Sequence, residues 1–312
     1  MIEYTFQEGV PEGFTFDFEV GIFHDPRHLL LQSLSGWHAF SLTDIGQRLI
    51  VGIVHVHLQS NQAVSPFRSP FGSFLFSKSI SEKQLMAFIT KVEEALRKKG
   101  VHSFRLKNKP FAYSKEATVS LEDVLLKLNF QKQQEEISSI IQVDDRNFIE
   151  RLHRSKKARL KKCYELGLLF SQPAHQEFEK VYAFLKRCRE EKGYALSMQA
   201  EDLKRVMDTF PDRVYLYTVS DNHNLVSACL SIRAEQKILY TFYYDHTNAY
   251  DDVSPVVLLM EGVYQFCQEQ EISLLDLGTS HADGSLSQTL LDFKLSLGAQ
   301  PSPKCTFVKK FL

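Results

Sequence analysis

Apolar and polar positions alternate along this chain in two rhythms, one of about two residues and one of about 3.6. Residues 49–58 (LIVGIVHVHL) are dense in β-branched side chains and predict a buried strand. Residues 81–99 carry apolar positions at helical spacing, with Ser81 placed to cap and Gly100 to stop the helix. A short strand at 103–106, a helix at 118–128 and a strand at 136–143 follow. Residues 1–48 give little pattern beyond a strand expected at 16–22. In the second half the expected elements are a long basic helix at 146–166, helices at 176–192 and 199–210, and strands at 213–219, 225–234 and 238–244. A helix from Ser254-Pro255, with Ser254 as cap, a strand at 272–277, a helix at 286–297 and a strand at 304–308 complete the pattern.

The order repeats. Each half reads strand, strand, helix, strand, helix, tight break, strand. The breaks are Leu128-Asn129-Phe130 and Leu297-Gly298-Ala299, and Asn and Gly tolerate the left-handed backbone that stops a helix sharply. The reading is an α/β (α+β) chain of two lobes, 1–145 and 146–312, each a mixed sheet flanked by helices. A length of 312 residues fits two hydrophobic cores.

Composition narrows the function classes. The formal charge is −1, so no global field drives the chain onto nucleic acid, and no DNA partner is expected. The five cysteines lie far apart with no metal-ligand spacing, so no metal is expected and a reducing, cytoplasmic setting is. No apolar run is long enough to span a bilayer, and the first residues lack the charge and apolar pattern of a leader. Walker loops, Gly-x-Ser-x-Gly elbows and HExxH are absent from the sequence. His55 and His57 share one strand face with no third ligand in register and read as structural.

Three stretches carry a resemblance. Ser69-Pro70-Phe71-Gly72-Ser73 is a Pro/Gly loop. Residues 156–162 (KKARLKK), closed by Glu165-Leu166-Gly167, form a basic helix ending in glycine. Asp276-Leu277-Gly278 is followed by Asp292-Phe293-Lys294 and Leu297-Gly298-Ala299. In this order they resemble the FemAB/FemX group, tandem members of the GNAT (acyl-CoA N-acyltransferase) fold. The resemblance implies a slot between two parted parallel strands where an activated acyl or aminoacyl donor meets a primary amine. Acyl-CoA or aminoacyl-tRNA would be the donor, with no tightly bound cofactor. The acceptor would be an amine-bearing small molecule or peptidoglycan precursor, and tRNA a partner. Against the GNAT pattern, residues 248–254 (NAYDDVS) lack the glycines that cradle a pyrophosphate and carry two acids.

Within that frame Lys294 is the expected oxyanion stabiliser. Asp276, at a strand end, is a proton acceptor or an anchor for loop amides. Tyr243 and Asp245 project together from an aromatic strand and would orient the amine, unless they are core. Arg68 and Phe71, with Ser254, Gly278 and Phe293, are the expected substrate contacts. Arg154, Lys157, Arg159 and Lys161 lie among seven basic side chains between His153 and Lys162, and would grip an anion such as tRNA phosphate. The rival reading is a non-catalytic ligand- or RNA-binding module on a duplicated transferase fold.

Overall fold

The structure is a computed structural model that describes residues 4–222, 224–282 and 284–311. The chain divides into two compact units, one made of Met1–Glu136 with Ser302–Leu312, the other of Ile137–Pro301. No described helix is long and apolar enough to cross a membrane.

Unit 1 contains β1 (Thr5–Glu8), β2 (Thr15–Phe16), α1 (Pro26–Gln32), β3 (Trp37–Asp44), β4 (Leu49–Gln59), β5 (Gln62–Ser65), β6 (Leu75–Phe76), α2 (Glu82–Lys98), β7 (Ser103–Lys107) and α3 (Lys115–Lys127). β1, β3, β4 and β5 pair antiparallel in that order, and β5 pairs parallel with β7. α2 packs its stripe of Leu85, Phe88, Ile89, Val92 and Leu96 on Phe40, Val54, Phe74 and Phe104. The helix starts at a full capping box, in which Ser81 and Gln84 satisfy each other's backbone amides.

Unit 2 begins within β8 (Gln131–Gln142) and contains α4 (Phe148–Arg151), α5 (Arg154–Glu165), β9 (Leu169–Ser171), α6 (Phe178–Glu191), α7 (Ala200–Thr209), β10 (Val214–Asp221), β11 (Asn224–Glu235), β12 (Ile238–His246), α8 (Val256–Glu269), β13 (Leu274–Thr279), β14 (His281–Ala282), β15 (Ser285–Leu286) and α9 (Gln288–Ser296). β8 pairs antiparallel with β13, β13 parallel with β12, and β12, β11, β10 and β9 follow antiparallel. α8 buries residues 256–260 and 262–264 with Phe266 and Cys267 in the core and turns Gln265 and Glu269 to solvent. It approaches Phe170 so closely that a Cβ on Gly262 would stand 2.4 Å from the ring.

The division at 145/146 is corrected in two ways. β8 crosses from one unit to the other, and β16 (Gln300–Lys310), the last strand, pairs with β7 in unit 1. Strand pairing is a long-range choice, which local pattern does not record. Both expected helix breaks are left-handed, Asn129 at φ 63° and Gly298 at φ 89°.

Other local expectations change. The strand expected at 16–22 is only Thr15–Phe16; α1, capped by Asp25 with Pro26 in its first turn, and β3 follow it. The long basic helix is two helices. Leu152 takes an extended conformation and is buried, and the His153 amide donates to the Ser296 carbonyl oxygen, which pins the chain between α4 and α5. Ser254 does not cap α8: it sits at φ 58°, and Pro255 occupies the cap position with no side-chain cap bond.

Under α1, unit 1 buries three imidazoles, His24, His28 and His55. Burial lowers their pKa values to about 3, about 4 and about 4. The charges that face them are Lys109 and the other rings, which oppose protonation, and Asp25, which favours it at His28 and His55 but is itself bound to Arg27. The folded chain therefore holds these rings neutral, while the unfolded chain protonates them at the ordinary value. Stability is fully present above pH 6.5 and falls as pH drops toward 4, by about 4 kcal/mol per pH unit at most from three protons. Denaturant titrations across that range should show this slope, and His28→Gln should reduce it by about a third.

Candidate active site

β12 and β13 pair in parallel at three positions only, Ile238 with Leu274, Leu239 with Leu275 and Tyr240 with Asp276. Beyond Tyr240 and Asp276 both strands run on, to His246 and Thr279, without pairing to each other. Each strand has a bulge at this point. On β12, Phe242 is skipped in the ladder to β11, where Thr241 faces Ser231 and Tyr243 faces Leu230. On β13, the ladder to β8 shifts between Asp276 and Thr279, with Gly278 at φ 76°. A bulge bends its strand and re-aims the side chains beside it.

The bulge in β13 is held by charge. Asp276 is 1% exposed, and its Oδ1 accepts the Gly278 amide at 2.7 Å. Lys294, near the end of α9 and 2% exposed, donates from Nζ to the carbonyl oxygens of Gly278 at 2.9 Å and Thr279 at 2.7 Å. A buried cation is expensive unless hydrogen-bonded, and the carbonyls turned by the bulge supply those bonds. Thr241 donates its hydroxyl across the gap to the Asp276 carbonyl oxygen at 3.0 Å.

The parted strands border a cavity of about 410 Å³. β12 contributes Tyr240 to His246, β13 Leu277 to Thr279, and α9 Leu290, Phe293 and Lys294; Arg189, Ser197 and His281 also line it. Of the residues expected from sequence, Lys294, Tyr243, Asp245, Phe293 and Gly278 are thus brought together. Asp276 lies behind the lining, bound to the Gly278 amide. The Tyr243 hydroxyl is bonded to Ser197 Oγ at 2.6 Å and accepts the Met198 amide at 3.0 Å, and burial raises its pKa, so the phenol stays protonated. Asp245 is ion-paired with Lys192 at 2.5 Å and Arg189 at 3.1 Å. Two cations on α6 and its end therefore hold the carboxylate that sequence placed near an amine.

The remaining expected residues lie elsewhere. Ser254 accepts the Val257 amide through its carbonyl oxygen and does not line the cavity. Phe71 is packed in the unit 1 core between Phe23 and Tyr113. Arg68 is exposed, its guanidinium 4.9 Å from the Phe67 ring centre. Arg154, Lys157 and Lys161 are exposed on α5 and Arg159 is partly so; Lys161 pairs with Glu165 at 3.6 Å. None of these four lines the cavity. Lys156 of the same helix rests on a lining residue: its Nζ lies 4.6 Å from the ring centre of Phe293, and its pKa is lowered by burial and then by Arg159.

Sequence reasoning also passed over two imidazoles. His246 Nε2 is 2.9 Å from Asp251 Oδ1; burial, followed by the charge of Lys192, lowers its pKa despite Asp245 and Asp251. His281 Nδ1 accepts the Ile137 amide at 3.3 Å, which leaves the ring proton on Nε2 in the neutral form. The dipeptide Asp245-His246 with Asp251 five residues on was the readable sign of the first. The second had no local sign.

Residues 148–294 match the model of the Acetyltransferase (GNAT) domain. No curated protein matches the sequence. Among solved structures, FemX aligns with a TM-score of 0.69 at 12% identity, over 92% of this chain and 91% of that one. The C-terminal domain of a putative lysylphosphatidylglycerol synthetase from Agrobacterium fabrum gives 0.54 at 11% identity, over 84% and 82%. A tandem GNAT protein from the clavulanic acid biosynthesis pathway gives 0.51 at 9% identity, over 99% and 98%. The chain is a tandem GNAT-fold protein. Within that class its architecture is FemX-like.

Because the Asp276 carboxylate accepts a buried amide, Asp276→Ala should lower unfolding free energy by about 1–3 kcal/mol. Asp276→Asn, which keeps an acceptor oxygen, should lose less in the same denaturant measurement.

Proposed function

We propose that unit 2 transfers an acyl or aminoacyl group from an activated ester or thioester to a primary amine. The observation that carries this reading is the unpaired stretch of two parallel strands with a buried lysine ammonium at its edge. A carbonyl placed there meets positive charge already fixed in position, and fixed donors and cations stabilise a developing oxyanion most where water is excluded. The amine nitrogen forms a bond to the carbonyl carbon, the bond to the ester oxygen or thioester sulfur breaks, and the leaving group carries away the electron pair. No covalent intermediate with the protein is needed.

The amine must also lose a proton. Asp276 and Asp245 are both committed to fixed partners, and Tyr243 holds its own proton. His246 lines the cavity and is neutral at pH 7, since its pKa lies below the ordinary 6.5. We assign it the role of proton acceptor. Lys294 supplies charge, and the aromatic faces of β12 exclude water from the acyl group.

The loop before α8 favours an ester donor such as aminoacyl-tRNA over acyl-CoA. Its amides at Asp251, Val253 and Ser254 donate to the carbonyl oxygens of Asn248, Tyr250 and Tyr250. They are therefore spent within the turn, and Asp251 and Asp252 stand exposed where a pyrophosphate would need positive charge. An amine-bearing cell-envelope precursor is the acceptor class in keeping with this reading, in a cytoplasmic setting.

The test is a panel of aminoacyl-tRNAs and acyl-CoAs with amine acceptors, read as new amide. Lys294→Ala should lower kcat/KM by about 100-fold or more, with circular dichroism confirming a folded chain. Unchanged turnover in that variant would remove the mechanism, and binding without turnover across the panel would favour the non-catalytic module. The rate should fall on the acid side with a midpoint below the ordinary 6.5, as His246 takes a proton, and His246→Gln should abolish that acid limb along with most of the rate.

A further inference from the structure

Unit 1 exposes apolar side chains where α1 ends. Leu34, in the turn after the helix, is 89% exposed, the highest value among the large exposed hydrophobic residues described, and Leu30, one helical turn earlier, is 52% exposed. Arg27 precedes Leu30 by three positions on the same face of α1. A second segment is tied to this edge. The Gln32 side chain donates to Ser69 Oγ at 2.8 Å and accepts the Arg68 amide at 2.9 Å, which sets Phe67 and exposed Arg68 beside the end of α1. Trp37, the one tryptophan of the chain, stands three residues after Leu34 against His57 and Phe67.

Both segments lack acids. The chain has 38 Asp and Glu, yet residues 26–43 and 60–81 contain none. Asp25, Asp44 and Glu82 flank them, and Asp25 is bound to Arg27. An edge with two exposed leucines, the exposed Arg68 and an adjacent tryptophan matches what a headgroup layer accepts. The leucines enter the acyl boundary and the Arg68 guanidinium meets lipid phosphate, with the Trp37 ring packed behind them on His57 and Phe67. A protein partner would need a pocket shaped to a lone projecting leucine, whereas a lipid layer deforms around it.

We propose that this edge of unit 1, formed by Leu30, Leu34 and Arg68, docks the protein reversibly on an anionic lipid surface. The contact is peripheral and is independent of the transfer chemistry assigned to unit 2.

Flotation of the full chain with vesicles of phosphatidylglycerol and phosphatidylcholine tests it, with Trp37 emission followed in parallel. The expected result is association with a blue-shifted emission, weakened by salt and absent with phosphatidylcholine alone. The double variant Leu30→Glu/Leu34→Glu should bind about tenfold or more weakly, and Arg68→Gln about fivefold. Leu34→Ser is the milder variant should the double change disturb folding, which thermal melts will show. Transfer to a soluble amine acceptor should be unchanged in the leucine variants. The proposal is overturned if the wild-type chain stays with the soluble fraction, if neutral vesicles bind it equally, or if folded leucine variants float as well as the wild type.

Discussion

A lysine ammonium shut away from water and bonded to two main-chain carbonyls holds unit 2 open. Its partners, the carbonyl oxygens of Gly278 and Thr279, are turned aside by the bulge in β13, and the Asp276 carboxylate takes up the amide of the same bulge. An unsatisfied buried amide or carbonyl costs about 1–3 kcal/mol. A strand leaving its parallel neighbour would therefore be pulled back unless other groups met its donors and acceptors. Lys294 and Asp276 meet them from one side, and Thr241 from across the gap. The cavity is thus a property of the hydrogen-bond arrangement as much as of shape.

The same accounting assigns the other charges. Asp245 is the carboxylate nearest the aromatic strand, and Arg189 and Lys192 neutralise it from α6 and its C-terminal end. The lining is left with cationic and aromatic character. Two imidazoles, His246 and His281, line the same cavity. Asp276 and Asp245 fix the geometry through the Gly278 amide and the two cations, and in the proposed transfer the proton falls to His246.

Much of this was legible along the chain. The Ser81 cap, the β-branched run of β4, the paired helix breaks at Asn129 and Gly298 and the order of elements were all local signals that tertiary packing left in place. The expectation that Lys294 lies at the slot came from the resemblance of the Asp292-Phe293-Lys294 stretch to the FemX group, and Lys294 lines the cavity. What escaped was set by partners distant in sequence. Asp245 is bound by residues more than fifty positions earlier, and the break at Leu152 depends on Ser296. The basic stripe of Arg154, Lys157 and Lys161 was legible as charge but not as placement, because α5 packs inward through Leu160 and Cys163, with Lys156 over Phe293.

The return of β16 to unit 1 bears on the order of synthesis. A ribosome makes every other strand of the unit 1 sheet before it starts unit 2, yet the strand that covers β7 emerges only after the whole of unit 2 has been translated. Until then Phe104 and Leu106 lie on an edge with open backbone groups, where a neighbouring nascent chain can pair. Chaperone occupancy of the growing chain should therefore persist through the making of unit 2, and end when the last strand closes the first sheet.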